Sequence, residues 1–350
     1  MKKLLLSNFD YALPESRIAQ KSCVPRDQSR LMVVDSASET LTHARFCDIK
    51  KFLQSGDVLV VNDSKVIPAR LAGTKSSGGA VEILLVKKIR TDLWTAMLKN
   101  FSAREVGKLI TIKGSRILKA EAVRLIENGL WEVRFRANGK SVAQLLQKAG
   151  ITPIPPYIKN ISSLSAYQTV YAAADGSVAA PTAGFHFTRR LIARLKKKGV
   201  VFCPVTLHVG PGTFLPIRDE DVSMHQMHPE SARLTARAAR ILNVAKKEGQ
   251  RIIAVGTTSV RVLESFSDSD GTLASGIRDV NLFITPGYRF KVVDGLVTNF
   301  HLPKSTLLLL VCAFAESRQK GGTRRILTAY RDAIKKKYRF YSFGDAMMIL

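Results

Sequence analysis

Between Lys65 and Ala137 the sequence changes its periodicity, and few folds accommodate such a change. The runs Val66–Leu71, Ala80–Val86, Leu93–Leu98, Leu109–Ile112, Ile117–Ile126 and Leu130–Phe135 are short and partly alternating. Turn signals separate them: Ser76-Ser77-Gly78-Gly79, Lys113-Gly114 and Asn128-Gly129. This pattern predicts a small antiparallel barrel. After Tyr157 the texture differs, with strand-length and helix-length runs alternating, which calls for a sheet covered by helices. The expected fold is therefore α/β. A layered αβα domain is built from residues 1–64 and 151–350, and residues 65–150 form an inserted small antiparallel β-barrel. A helix from Ser141 to Ala149, opened by a Ser141-x-x-Gln144 capping box, closes the insertion. Pro153, Pro155 and Pro156 stiffen the return.

In the flanking domain, Phe9–Gln20 and Asp48–Gln54 read as short helices, and Leu31–Val34 and Val58–Val61 as strands. The stretch Gly176–Phe214 reads as loop, helix, strand, loop. Thr188 suits an N-cap, and Leu191, Ile192 and Leu195 fall at helical spacing. Lys196–Lys198 favour the negative end of the helix dipole, and Gly199 can take a left-handed terminus. A buried strand, Val200–Leu207, follows. Further on come a helix Thr235–Glu248, a strand Arg251–Val255, a helix from Gly256 to Phe266, and strands Val280–Ile284 and Val292–Val297. An apolar helix after Lys304, a basic helix Thr323–Tyr338 and a strand Ala346–Ile349 complete the pattern.

Lys and Arg number 54 against 28 Asp and Glu, a formal net charge of +26. An excess of that size over a folded chain points to a polyanionic partner, with nucleic acid the first candidate. The four cysteines, Cys23, Cys47, Cys203 and Cys312, lie far apart and form no C-x-x-C, so neither a disulfide framework nor a cysteine zinc site is expected. The longest apolar run, Leu307–Ala315, is about half the roughly 20 residues that span a bilayer. A cytoplasmic protein with no membrane partner is expected, and a monomer.

Three apolar strands end in polar loops that contain glycine: His208–Thr213, Gly256–Ser259 and Thr285–Gly287. In open α/β sheets ligands sit at the carboxyl ends of strands. Glycine lets a backbone approach a ligand, and the free N–H groups of a following helix attract anions. Each loop alone is weak evidence; three together suggest a shared pocket. Of the six histidines, His43 is isolated, whereas His186, His208, His225, His228 and His301 occupy polar loops of one domain, which argues for proton chemistry. The His225-x-x-His228-x-Glu230 spacing fits no helical zinc motif and Pro229 opposes a helix there, so no metal is expected. There is no G-x-G-x-x-G after a strand and no Walker A motif.

Ten blocks, in order, carry a resemblance: FDYALPESRIAQ (Phe9–Gln20), RDQSRLMVV (Arg26–Val34), VLVVNDSKVIPARL (Val58–Leu71), YQTVYA (Tyr167–Ala172), GSVAAPTAGFHFT (Gly176–Thr188), LHVGPGTF (Leu207–Phe214), MHQMHPE (Met224–Glu230), RIIAVGTTSVRVLES (Arg251–Ser265), TNFHLPKSTLLLLVCAFA (Thr298–Ala315) and YRFYSFGDAMMI (Tyr338–Ile349). Together they resemble the S-adenosylmethionine:tRNA ribosyltransferase-isomerase family of queuosine biosynthesis over almost the whole chain. Two departures stand out. Leu164-Ser165-Ala166 replaces residues that are usually charged, with a local ion pair or RNA contact at stake, and Phe185 replaces a usual Leu as an expected packing variation.

The resemblance implies that the ribosyl part of S-adenosylmethionine moves to the aminomethyl-deazaguanine at the wobble position of tRNA. Adenine and methionine leave, and the sugar becomes the epoxycyclopentanediol of epoxyqueuosine. S-adenosylmethionine is then a consumed co-substrate, with no cofactor bound permanently, and the partner is an anticodon stem-loop. Such chemistry needs a base at the carbon next to the sulfonium and a proton for departing adenine. The expected catalytic residues are His186, His208 and His301, with Glu230 as carboxylate partner. Thr182, Gly184, Gly210, Gly212, Thr213, Gly256, Thr257, Thr258, Ser259, Arg261 and Lys304 are the expected substrate contacts. Two rivals stay open: a non-catalytic RNA-binding protein, which explains the charge and barrel but not the loops, and an RNA methyltransferase, disfavoured by the missing Gly-rich methionine loop.

Overall fold

Strand β1 (Arg30–Val34) is buried on both faces, because Leu31, Met32, Val33 and Val34 leave no polar side to turn outward. Such a strand needs neighbours and covering layers on both sides. The computed structural model, which describes residues 3–36, 40–126, 129–153, 157–158, 164–210, 212, 217 and 219–350, supplies them. The chain forms two compact units. One comprises residues 1–64, 168–174 and 181–350; the other comprises residues 65–167 and 175–180.

Strands β2 (Leu41–Arg45) and β3 (Val58–Asn62) belong to the first unit, and the short β4 (Ser64–Val66) leads out of it. The second unit is a closed barrel of β5 (Arg70–Lys75), β6 (Ala80–Lys88), β7 (Leu93–Lys99), β8 (Leu109–Ile112), β9 (Lys119–Leu125) and β10 (Leu130–Arg136), in the order β10-β7-β6-β5-β8-β9. Alternate residues such as Leu71, Val81, Ile83, Ile110, Val133 and Phe135 fill the interior. Closure leaves no free edge. Gly73 is obligatory where β5 meets β8, since a Cβ there would lie 2.6 Å from Ile110 Cγ2. The expected first barrel strand began at Val66; the observed one begins at Arg70, after Pro68, which cannot donate to a ladder. Helix α1 (Val142–Ala149) follows, with the Gln144 N–H donating to Ser141 Oγ at 3.4 Å. Residues 151–167 group with the barrel rather than with the first unit, and Ile151 and Arg70 exchange both backbone hydrogen bonds. Pro155 and Pro156 lie outside the described residues.

After β11 (Ala174–Ser177) come α2 (Arg189–Lys197), β12 (Val201–Leu207), β13 (Glu230–Leu234), α3 (Ala236–Lys247), β14 (Ile252–Val255), α4 (Thr257–Phe266), β15 (Gly276–Val280), β16 (Gly295–Asn299), α5 (Thr306–Arg318), α6 (Gly322–Lys335) and β17 (Ala346–Ile349). Among the described residues the sheet has nine strands, ordered β15-β13-β12-β3-β14-β16-β17-β1-β2. Strands β12, β3, β14 and β16 run parallel, whereas β17 is antiparallel to β16 and parallel to β1. On one face, Leu59, Val61, Ile253 and Val255 pack against Leu191 and Leu195 of α2. Helices α3 and α4 lie on β12 and β14 without joining that cluster, so they cover the other face. The α2 cap is as expected, with the Leu191 N–H donating to Thr188 Oγ1 at 3.1 Å.

Four further elements differ from expectation. Phe9–Gln20 is not one helix but 3-10 turns at Leu6–Phe9 and Glu15–Arg17, because Pro14 keeps the residue before it extended. The second short helix is a 3-10 helix at Phe46–Lys51. The strands expected at Val280–Ile284 and Val292–Val297 are displaced to β15 and β16. Arg261 takes the carbonyls of Val280 and Leu282, and Glu264 takes the N–H groups of Val292 and Val293, so side chains occupy what a ladder would use.

Candidate active site

Because β12, β3, β14 and β16 are parallel, their carboxyl ends share one edge of the sheet. The loop with His208 follows β12, Gly256 follows β14, and His301 follows β16. The antiparallel partners add the starts of β13 and β17 to the same edge. The Thr182–His186 turn joins it, since a Cβ built on Gly256 would lie 3.4 Å from Ala183 Cβ. At about 4.8 Å per strand, the β12 and β16 ends are roughly 14 Å apart.

His186 is buried and stacks on Phe46 at 4.9 Å. Thr182 Oγ1 donates to Asn299 Oδ1 at 3.0 Å, which leaves the Asn299 amide group to donate to His186 Nε2 at 3.2 Å. The tautomer follows: Nδ1–H of His186 donates to Ser29 Oγ at 2.7 Å. Burial, aided by Arg339 and Arg26, pushes the His186 pKa down to about 3. His301 is held as firmly. Its Nε2 lies 2.7 Å from Thr298 Oγ1, its N–H donates to Tyr330 Oη at 3.1 Å, and its carbonyl accepts from Tyr11 Oη. Burial alone pushes its pKa down to about 3. Both imidazoles are therefore neutral at pH 7. His208 is different. It is only half-buried, with Nδ1 2.8 Å from Ser64 Oγ.

Glu230 and Arg261 form a buried ion pair. The second Glu230 oxygen accepts from the Gly210 N–H at 2.7 Å, while Arg261 Nε donates to Leu282 O at 3.2 Å and Nη2 to Val280 O at 3.0 Å. The pair thus anchors the loop after β12 to the end of β15, and each of the three Arg261 nitrogens already donates a hydrogen bond within the protein. Ser259 is also engaged, its hydroxyl donating to Val255 O at 2.8 Å. Lys304 pairs with Asp10 at 2.7 Å and its N–H donates to Phe9 O, so it fastens the N-terminal segment. Gly184 is needed where it is, because a Cβ would come 2.0 Å from Tyr171 Oη. Gly212 packs on His228, where a Cβ would lie 2.8 Å from Cδ2. Thr213 lies outside the described residues. Thr257 and Thr258 begin α4.

A family profile described as "Queuosine biosynthesis protein" matches residues 6–349. An S-adenosylmethionine:tRNA ribosyltransferase-isomerase from Desulforamulus reducens is 47% identical over 347 residues, 99% of this chain and 99% of that protein. The chain belongs to this family. A protein of the same description from Carboxydothermus hydrogenoformans is 48% identical over 347 residues, again 99% of both chains. The crystal structure of an S-adenosylmethionine tRNA ribosyltransferase from Thermotoga maritima is similar at 36% identity, with a TM-score of 0.55, covering 98% of this chain and 100% of that one.

Within this queuosine family framework, several site residues carry no signal by type. A shallow cleft beside His186 is lined by Ser22, Cys23, Arg26, Phe185, Ser342 and Phe343. Apart from Phe185, which belongs to the Thr182–His186 turn, these come from the stretches before β1 and β17, and strand order puts them at this edge. Asp345 fixes both stretches, accepting from the N–H groups of Arg30 at 2.9 Å and Arg339 at 2.8 Å. The departure at Phe185 does more than fill space, since its ring stacks on Phe343 at 5.6 Å and lies 5.2 Å from the Arg26 guanidinium. Leu164–Tyr167 forms a 3-10 turn in the barrel unit. A larger cavity of about 390 Å³, lined by Tyr288, Arg289, Lys291 and Arg318, lies at the other edge, where Asp294 accepts from the N–H that starts β14. Gly287 lines it, so the third glycine loop, Thr285–Gly287, faces this cavity instead of sharing one with the other two, and none of the expected catalytic or substrate-contact residues is in its lining. Among the described residues no group of three or more His, Cys, Asp or Glu is placed to hold a metal ion, and no helix is long and apolar enough to cross a membrane.

Proposed function

We infer that the chain transfers and isomerises the ribosyl moiety of S-adenosylmethionine onto the aminomethyl-deazaguanine at the wobble position of tRNA, giving epoxyqueuosine-tRNA and releasing adenine and methionine. The observation that carries this is identity near one half with ribosyltransferase-isomerases over the full length of both chains. S-adenosylmethionine is consumed as a co-substrate, and the protein keeps no permanent cofactor. It works as a monomer in the cytoplasm, where its tRNA is.

Division of labour at the edge follows from burial and bonding. His208 is the proton-handling residue, because it alone of the three expected histidines is half-exposed, with Ser64 orienting its ring. His186 and His301, neutral and bonded through their rings, shape the site and offer hydrogen bonds without changing charge. Glu230 is a positioning residue that holds Gly210 through its N–H. Thr182, Gly184, Gly210, Gly212 and Thr257 line the approach of the substrate, and Thr213 belongs with them.

The test is release of free adenine from S-adenosylmethionine in the presence of precursor tRNA, with the mass of the modified nucleoside read alongside. Adenine release matched by epoxyqueuosine is the expected result. Methylated RNA, or RNA binding with no adenine released, would revive a rival.

A further inference from the structure

Helix α4 begins without a side-chain cap. Its N-cap is Gly256, at φ +89°, which has no hydroxyl or carboxylate to offer. Helix geometry leaves the first N–H groups without an intrahelical partner. Those of Thr257 and Thr258 find none elsewhere among the described residues. The Thr258 hydroxyl is also unpartnered, although Thr258 is only 9% exposed. It faces the helix mouth, since a Cβ built on Gly256 would lie 3.6 Å from Thr258 Oγ1. Three donors and the positive end of a helix dipole thus converge at the end of the central strand β14. The acidic side chains around α4 do not answer them. Glu230 binds Arg261 and Gly210, and Glu264 binds the amides of Lys291, Val292 and Val293.

Unsatisfied buried donors are unfavourable in the free protein and become an asset once an acceptor arrives. The acceptor must be small, because Thr257 and Thr258 keep 6% and 9% of their surface and Ala183, across from Gly256, keeps 4%. Such close surroundings favour a planar carboxylate on a slender chain over a tetrahedral phosphodiester within a polymer. We propose that the N-terminus of α4 binds the α-carboxylate of the methionine half of S-adenosylmethionine, through the N–H groups of Thr257 and Thr258 and the Thr258 hydroxyl. This rests on the reaction assigned above. Gripping the far end of the molecule fixes the sulfonium, and with it the neighbouring ribose carbon, against the edge that carries His208.

The experiment compares S-adenosylmethionine with its decarboxylated analogue, on the intact protein and on Thr258→Val. Losing a hydrogen bond to a charged group should raise the KM for S-adenosylmethionine about tenfold or more in the variant. The KM for the decarboxylated analogue should be unchanged by the substitution and high in both proteins. The melting temperature of the variant should not fall, because valine removes an unpaired buried hydroxyl. Should the variant fail to fold, the unsubstituted protein still decides, since equal KM values for the two compounds overturn the proposal. It is equally overturned if Thr258→Val weakens both compounds alike, or raises the KM for tRNA and leaves that for S-adenosylmethionine alone, which would make the anion a phosphate. Either result leaves tRNA-dependent adenine release intact. Loss of adenine release in the unsubstituted protein would instead sink the reaction itself.

Discussion

His186 and His301 couple the site to pH. Both are held neutral, with pKa values near 3, whereas an unfolded histidine titrates near 6.5. As pH falls below about 6.5 the unfolded chain takes up protons that the folded one refuses, so stability is lost toward acid, by about 1.4 kcal/mol per pH unit for each histidine. The urea midpoint should therefore drop between pH 7 and pH 5 and stay level from pH 7 to pH 8. His208 should behave as a catalytic group: His208→Ala is expected to lower single-turnover adenine release by about a hundredfold or more. A variant with full activity would remove it from the mechanism. The residue types alone singled out the loop histidines and Gly256-Thr257-Thr258-Ser259, because such loops recur in one domain, although a single glycine after a strand commonly serves turn geometry alone. They could not show that Arg261 is a strut or that Lys304 fastens Asp10. A cation looks the same in sequence whether it faces a ligand or a neighbouring carboxylate, and only the fold decides which it meets.

At the scale of elements, α4 ties the site together. Thr257 and Thr258 open it, Arg261 holds the start of β13 to the end of β15, and Glu264 collects the N–H groups of Lys291, Val292 and Val293 with the Tyr288 hydroxyl. Glu264→Ala would strand those amides, and a loss of about 3 kcal/mol or more is expected, measurable as a lower denaturant midpoint. These two side chains also explain why the apolar stretches before β16 and after β15 are not strands. The apolar runs continue past the ladder, but a carboxylate and a guanidinium claim the backbone there. The barrel was legible because every strand of a closed antiparallel barrel repeats at two residues. The cap of α2 was legible because Thr188 bonds locally. The 3-10 turns around Pro14 were not, since helical spacing of apolar residues does not distinguish one turn from three.

For the molecule as a whole, the excess of 54 basic over 28 acidic residues predicts a steep salt dependence of tRNA affinity, about a thousandfold between 50 and 200 mM for some six phosphate contacts. The KM for S-adenosylmethionine should barely move over that range, and filter binding beside steady-state kinetics would check both. The two-part architecture could be read from the change in periodicity. The joining of residues 151–167 to the barrel unit could not, because the pairing of Ile151 with Arg70 links positions far apart in sequence. Nor could the place of β17, which sits between β16 and β1. That placement has a consequence for biosynthesis. A ribosome delivers β1 and β2 early and β17 some three hundred residues later, so the hairpin has no berth until then and the growing chain carries two sticky rims. The candidate site, part of which is borne on the stretches that flank those rims, can assemble only after β17 has emerged.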